Sequence, residues 1–246
     1  MITTISQAAA NLKAKLEAGR GEHPERFVVL DEAEYAERRY EYQQKNQVQA
    51  GAPANELRYC GLFQDEIDNL TWDKVKADVS GGLQGVQTVR AFYTQGHGMV
   101  YLGGSSGQAK TLLLKIAVAT ATRAGMRARY VDLRDVLQNL RASFQREYHN
   151  DEFSARMKDW IDIPVLALDE IDKCNDTPWA REQVFYLVDK RYTGAVRQTS
   201  LTILAGNQVG EEMAAYISSR LHDDRGAFVV LDGPDGRRVM SKDNKY

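Results

Sequence analysis

Five short apolar runs divide this chain from about residue 98 onward, and helical periodicity fills most of the gaps between them. The runs are Met99-Val100-Tyr101-Leu102, Ala128-Arg129-Tyr130-Val131, Pro164-Val165-Leu166-Ala167-Leu168, Leu201-Thr202-Ile203-Leu204-Ala205 and Ala227-Phe228-Val229-Val230-Leu231. Near-continuous apolar strands alternating with helices indicate a parallel sheet covered on both faces, because the crossover helices that join parallel neighbours bury both sides. The expected fold class is α/β, a five-stranded parallel sheet sandwiched by helices. Ligands of such sheets bind beyond the carboxyl ends of the strands, so the chemistry is sought there.

The first run is followed at once by Gly103-Gly104-Ser105-Ser106-Gly107-Gln108-Ala109-Lys110-Thr111 and then by an apolar helical stretch, LLLKIAVATATRAG. Against the pattern G-x-x-x-x-G-K-[ST] this matches at Gly104, Lys110 and Thr111, with Ala109 where glycine is usual. Small residues let the backbone wrap a phosphate with its N–H groups pointing inward, and the helix N-terminus adds partial positive charge. Lys110 would neutralise the β and γ oxygens of ATP, and Thr111 would hold Mg²⁺ through its hydroxyl. Ala109 is the departure. If its position requires a positive φ, its Cβ costs on the order of 1 kcal/mol. The alternative is a Gly/Ser-rich turn that merely joins strand to helix.

The third run ends in Asp169-Glu170. Buried strands seldom finish in adjacent acids without cause, since unpaired buried charge is expensive. Beside a phosphate loop, Asp169 would bind Mg²⁺ and Glu170 would orient and deprotonate the attacking water; capping of the next helix is the other reading. Asp172 is expected to be a solvated acid. The fourth run ends in Ala205-Gly206-Asn207, and Asn207 could hydrogen-bond the attacking water or the γ-phosphate, or act as a turn or cap residue. Arg220, in Ser218-Ser219-Arg220-Leu221, could reach a neighbouring subunit's nucleotide as an arginine finger does, or form a surface salt bridge. Arg225 competes for that role.

Composition narrows the setting. Apolar residues make up 43% and charged residues 27% of the 246, which is ordinary for a globular chain. No apolar run approaches the ~20 residues that span a bilayer, and the N-terminus lacks the basic start and apolar block of a signal peptide. A cytoplasmic setting without membrane contact is expected. Cys60 and Cys174 are the two cysteines and no Cys/His cluster accompanies them, which argues against a disulfide framework or structural zinc.

The net charge of −2 means that any nucleic-acid contact must come from a local patch. One candidate lies between Arg123 and Tyr148, where Arg123, Arg127, Arg129, Arg134, Arg141 and Arg146 face Asp132, Asp135 and Glu147, with Phe144 and Tyr148 interleaved. Charges for the backbone and rings for base stacking suit single-stranded DNA, with Arg141, Phe144 and Arg146 as the candidates; a solvated helix face is the alternative. Residues 1–55 read separately. Ile5, Ala9, Leu12 and Leu16 share one helical face, Gly19, Gly21 and Pro24 interrupt, a polar helical stretch follows, and Gly51-Ala52-Pro53 reads as a linker. The chain is thus divided into a helical N-terminal arm, 1–55, and a domain over 56–246. The arm either packs on that domain or binds a partner.

The set GGSSGQAKT, PVLALDEID, TILAGN and ISSRL, in this order, resembles an AAA+ ATPase, and within that group the DnaC-type replicative helicase loaders, including phage-encoded ones. Leu70-Thr71-Trp72-Asp73 and Val188-Asp189-Lys190-Arg191-Tyr192 are similar to further segments of those loaders. Residues 221–246 are too few for the helical lid of other AAA+ proteins, and the loaders lack one too. The resemblance, over roughly 60–246, implies ATP and Mg²⁺ as cofactors, a slow ATPase, nucleotide-dependent homo-oligomers, docking of the arm on a hexameric helicase, and a grip on single-stranded DNA. An IstB-type transposition ATPase shares the core and the lack of a lid, and would differ in its partner, a transposase in place of a helicase. A nucleotide-binding scaffold with little hydrolysis is a third reading.

Overall fold

The computed structural model describes residues 60–75, 83–143, 149–173, 177–207, 211–221 and 225–231. All five expected strands form. They are β1 (Gly98–Gly103), β2 (Ala128–Asp132), β3 (Val165–Asp169), β4 (Leu201–Ala205) and β5 (Gly226–Val230). They make one parallel sheet in the order β2-β3-β4-β1-β5. The described helices are α1 (Gln64–Asn69), α2 (Leu83–Gln95), α3 (Lys110–Arg123), α4 (Leu133–Ala142), α5 (His149–Asp162), α6 (Pro178–Val196) and α7 (Glu211–Arg220). The N-terminal arm, 1–55, lies outside the described residues. Among the described residues, no helix is long and apolar enough to cross a membrane.

Side-chain alternation along each strand divides the core into two layers. Val100 and Leu102 of β1, Ala167 of β3 and Ile203 of β4 meet α1, α2 and α3, where Val89, Leu113, Leu114, Ala117 and Val118 are buried. Met99 and Tyr101, Leu166 and Leu168, and Leu204 meet the opposite layer of α4, α5, α6 and α7. Helix α4 shows why the sequence makes this choice. Leu133, Val136, Leu137 and Leu140 fall on one face and are buried, and Asp132 caps the first turn by accepting from the Arg134 N–H at 2.8 Å. Helix α6 begins with Thr177 capping Ala180 and with Pro178 in the first turn.

The register aligns the strand ends. Asp132 pairs with Asp169, Leu168 with Leu204, Leu102 with Ala205, and Gly103 with Val230. The phosphate loop, the acidic pair and Asn207 therefore leave the sheet along one edge. Strand β4 lies between β1 and β3, so Asn207 emerges between the loop and the acids.

Residues 60–75 form a strap over α3 and the outer edge of β2. The Cys60 carbonyl accepts from the Tyr130 N–H at 2.8 Å. Arg123 donates to the Ile67 carbonyl, and to the Leu70 carbonyl at 2.9 Å, closing the end of α1. Lys115 pairs with Glu66 at 2.6 Å, and this holds the Glu66 carboxyl below its ordinary range. Trp72 packs against Tyr93 of α2 with ring centroids 6.1 Å apart.

At the opposite end of the sheet, Arg191 is fully buried. Its guanidinium donates to Thr202 Oγ1 at 2.9 Å, to the carbonyls of Ile161 (2.9 Å) and Leu201 (2.6 Å), and to the carbonyl of Ile163. One side chain from α6 thus ties the end of α5, the entry to β3 and the start of β4 together. Arg191→Met keeps the apolar stem but leaves buried acceptors without donors, at about 1–3 kcal/mol each. A loss of at least about 3 kcal/mol in urea unfolding is expected, and a wild-type midpoint would remove the staple.

Candidate nucleotide site

The loop Gly104 to Thr111 has the form that phosphate binding needs. Gly104 and Gly107 have φ of 137° and 85°. A Cβ on Gly104 would collide with the Leu231 carbonyl, so only glycine passes there. Ser105 and Ser106 are exposed at the tip, and Gln108 is buried beneath it. Ala109 has φ 57° and ψ 17°, a left-handed conformation immediately before α3. The position does require positive φ, and alanine adopts it with its Cβ in place. The loop keeps the turn that glycine usually provides and carries the strain of an L residue there.

Lys110 opens α3 and is 8% exposed. Its ammonium donates to the carbonyls of Gly104 and Ser105, both at 2.7 Å, and to Asn207 Oδ1 at 2.8 Å. The loop is curled around its own cation, and the tip of β4 closes onto it. Thr111 Oγ1 donates to Asp169 Oδ2 at 2.7 Å. The structure therefore brings together Lys110, Thr111, Asp169 and Asn207 from three strand ends. A hydroxyl and a carboxylate at this separation are the donor types that Mg²⁺ takes from a protein when substrate phosphates supply the rest. The cradle of loop N–H groups, the buried ammonium and the Thr111–Asp169 pair fit a nucleoside triphosphate with its magnesium. Thr111 and Asp169 could hold the metal.

Glu170 follows Asp169 with φ 53°. This turn aims its N–H at Asp169 Oδ1 at 2.9 Å and its carboxylate toward α4. There Arg134 Nη2 meets Glu170 Oε2 at 2.7 Å and Asp132 Oδ2 at 2.8 Å, and Lys173 pairs with Glu170 Oε1. The Asp132 carboxyl sits below its usual range: burial pushes it up, but the bonds from Arg134 outweigh burial. Tyr130 donates its hydroxyl to Asp169 Oδ2 at 3.0 Å. Burial, followed by the Asp169 charge, raises the Tyr130 phenol well above its ordinary value.

Sequence reasoning placed Arg134 in a basic track and Tyr130 simply in a strand; the structure puts both beside the acidic pair. No local sequence signal marks either contact, because both depend on β2 lying beside β3 in the sheet. The reading of Asp172 as a solvated acid needs correction. Its Oδ1 is buried with no hydrogen-bond partner, next to Gly206. Burial first, and then the Asp172 charge, raise the Tyr101 phenol.

Arg220 lies elsewhere. It pairs with Asp189 of α6 at 2.8 Å and lies 3.5 Å from the Tyr216 ring centroid. Of the basic track, Arg127 and Arg129 pair with Asp159, and Arg141 is exposed on α4 with its guanidinium 4.9 Å from the Trp179 ring centroid. Phe144 and Arg146 lie outside the described residues. Ala109→Gly removes the left-handed strain, which exceeds the chain entropy that glycine adds. The variant is expected to gain up to about 1 kcal/mol in denaturant unfolding; a loss would mean that the Cβ makes contacts the loop needs.

Comparison with known proteins follows the same line. No curated protein matches the chain. Solved structures do. AMPPCP-bound DnaA from Aquifex aeolicus superposes with a TM-score of 0.55 at 17% identity, over 72% of this chain and 54% of that one. DnaA bound to AMPPCP and single-stranded DNA gives 0.56 at 16%, with the same coverage. The chain thus spans about half the length of these DnaA chains. DnaI gives 0.54 at 14%, over 74% of this chain and 99% of that one. At these identities the likeness is one of fold, the AAA+ P-loop arrangement. Residues 79–221, more than half of the chain, match the family model for IstB-like ATP binding proteins. The chain belongs to the IstB-like ATP-binding family.

Proposed function

We propose that this protein is an ATP-hydrolysing switch that loads a hexameric replicative helicase onto single-stranded DNA. The observation that carries the ATPase part is the convergence of Lys110, Thr111, Asp169 and Asn207 at one edge of the sheet. The replication part is supported by the motif set of the loaders and by the fold shared with DnaI and with a DnaA that binds AMPPCP and single-stranded DNA. The family to which the chain belongs favours a second reading, ATP-dependent assistance to a transposase.

The chemistry is attack of water on the γ-phosphorus of ATP, giving ADP and phosphate. Lys110 exchanges its loop carbonyls for β and γ oxygens, and Thr111 and Asp169 hold Mg²⁺. When bound, that ion neutralises phosphate charge. Asn207 orients the water. Glu170 takes its proton, and to do so it must leave Arg134 and Lys173, which hold both its oxygens. Turnover then waits on that release, which suits a slow switch. Arg220 of one subunit, freed from Asp189, completes the neighbour's site in a homo-oligomer. The arm over 1–55 docks on the helicase. Arg141, with Phe144 and Arg146, contacts the DNA, in the cytoplasm of a bacterial host.

Glu170→Gln is expected to bind ATP like wild type and to lose about 10²–10⁴-fold in phosphate release. Unchanged release would reassign the base, and absent release in the wild type would favour the scaffold. In the presence of ATP, the full chain should co-elute with a hexameric helicase, and Lys110→Ala should not. Co-elution with a transposase instead would favour the second reading.

A further inference from the structure

Tyr130 stands where the acidic pair meets the strap. Its phenol donates to Asp169 Oδ2, the oxygen that also receives Thr111. Asp169 Oδ1 is occupied by the Glu170 N–H. Three donors from three elements thus fix the plane of one carboxylate, and Tyr130 is the one among them that belongs to neither the phosphate loop nor the acidic turn.

The ring that carries this hydroxyl is itself held. Backbone pairing joins β2 to β3, with Tyr130 opposite Ala167. The Tyr130 N–H is bound to the Cys60 carbonyl, and Gly61 packs so closely on the Tyr130 carbonyl that a Cβ would collide with it. The Lys115 ammonium lies 5.2 Å from the ring centroid and is anchored to Glu66 of α1. The phenol is therefore preorganised by the strap, by α3 and by the sheet edge together. A hydroxyl held in this way resists rotation of Asp169 away from Thr111.

We propose that Tyr130 is a positioning residue for the magnesium of bound Mg-ATP. It acts through Asp169 and does not touch the nucleotide. Groups that orient a metal ligand from behind tune metal affinity by about 10–100-fold. The inference rests on the Mg-ATP reading of this site. It predicts that the Tyr130 hydroxyl governs the magnesium requirement and leaves metal-free nucleotide affinity alone.

Tyr130→Phe isolates the hydroxyl, because the ring, its Lys115 contact and the backbone bond to Cys60 remain. Equilibrium binding of AMPPCP to the full chain is measured in EDTA and across a Mg²⁺ titration. The variant should match wild type in nucleotide affinity in EDTA, with a lower melting temperature from the bond lost at the buried Asp169. It should need about tenfold more Mg²⁺ to reach half of the metal-dependent gain in affinity. An identical Mg²⁺ midpoint overturns the proposal and leaves the nucleotide site standing. Equal weakening with and without Mg²⁺ also overturns it, since that is what a merely structural tyrosine produces. Wild-type affinity indifferent to Mg²⁺ overturns the Mg-ATP reading itself.

Discussion

The contact on which the site depends is the hydrogen bond from Thr111 to Asp169. Asp169 ends a strand buried along its whole length and is itself 4% exposed. A carboxylate in such a place is costly unless donors converge on it. Thr111, Tyr130 and the Glu170 N–H all do so. The bond also couples two separate pieces of chain, the helix after the phosphate loop and the strand that carries the acids. Their relative placement follows from the parallel register, which brings the ends of β1, β3 and β4 level.

Around this contact the site is arranged as a set of exchangeable pairs. Lys110 is satisfied by two loop carbonyls and Asn207. Glu170 is satisfied by Arg134 and Lys173, and Arg220 by Asp189. Each charged group proposed to act on a triphosphate already has a protein partner, so on the proposed function nucleotide binding and subunit assembly would trade one set of bonds for another. The net energy of such a trade is small compared with its gross terms. A small net energy lets a partner bias the equilibrium. Loading a helicase and assisting a transposase both need that property, which is why one core serves either reading.

Ala109 shows how far a motif can bend. A search for glycine at that position marks the loop as defective, yet the backbone takes the left-handed turn with alanine in place. The strain is of the order of 1–2 kcal/mol, which packing of α3 against β2 and β3 can absorb. The loop retains its shape and gives up some stability.

Alternation of apolar runs and helical stretches is sufficient to read the α/β class, all five strands and the strand ends at which the candidate site lies, because burial on both faces imposes its period on the sequence. The phosphate loop, Asp169 and Asn207 were legible for the same reason, each standing at or just beyond the end of its strand. What the linear order could not carry was pairing across the sheet. The position of Arg134 on Glu170, the Tyr130 hydroxyl on Asp169, the buried Asp172 oxygen and the Arg191 staple all depend on which strands are neighbours. That choice is made by packing of the two helical layers, where residues more than thirty positions apart, such as Tyr130 and Asp169, come within hydrogen-bond reach.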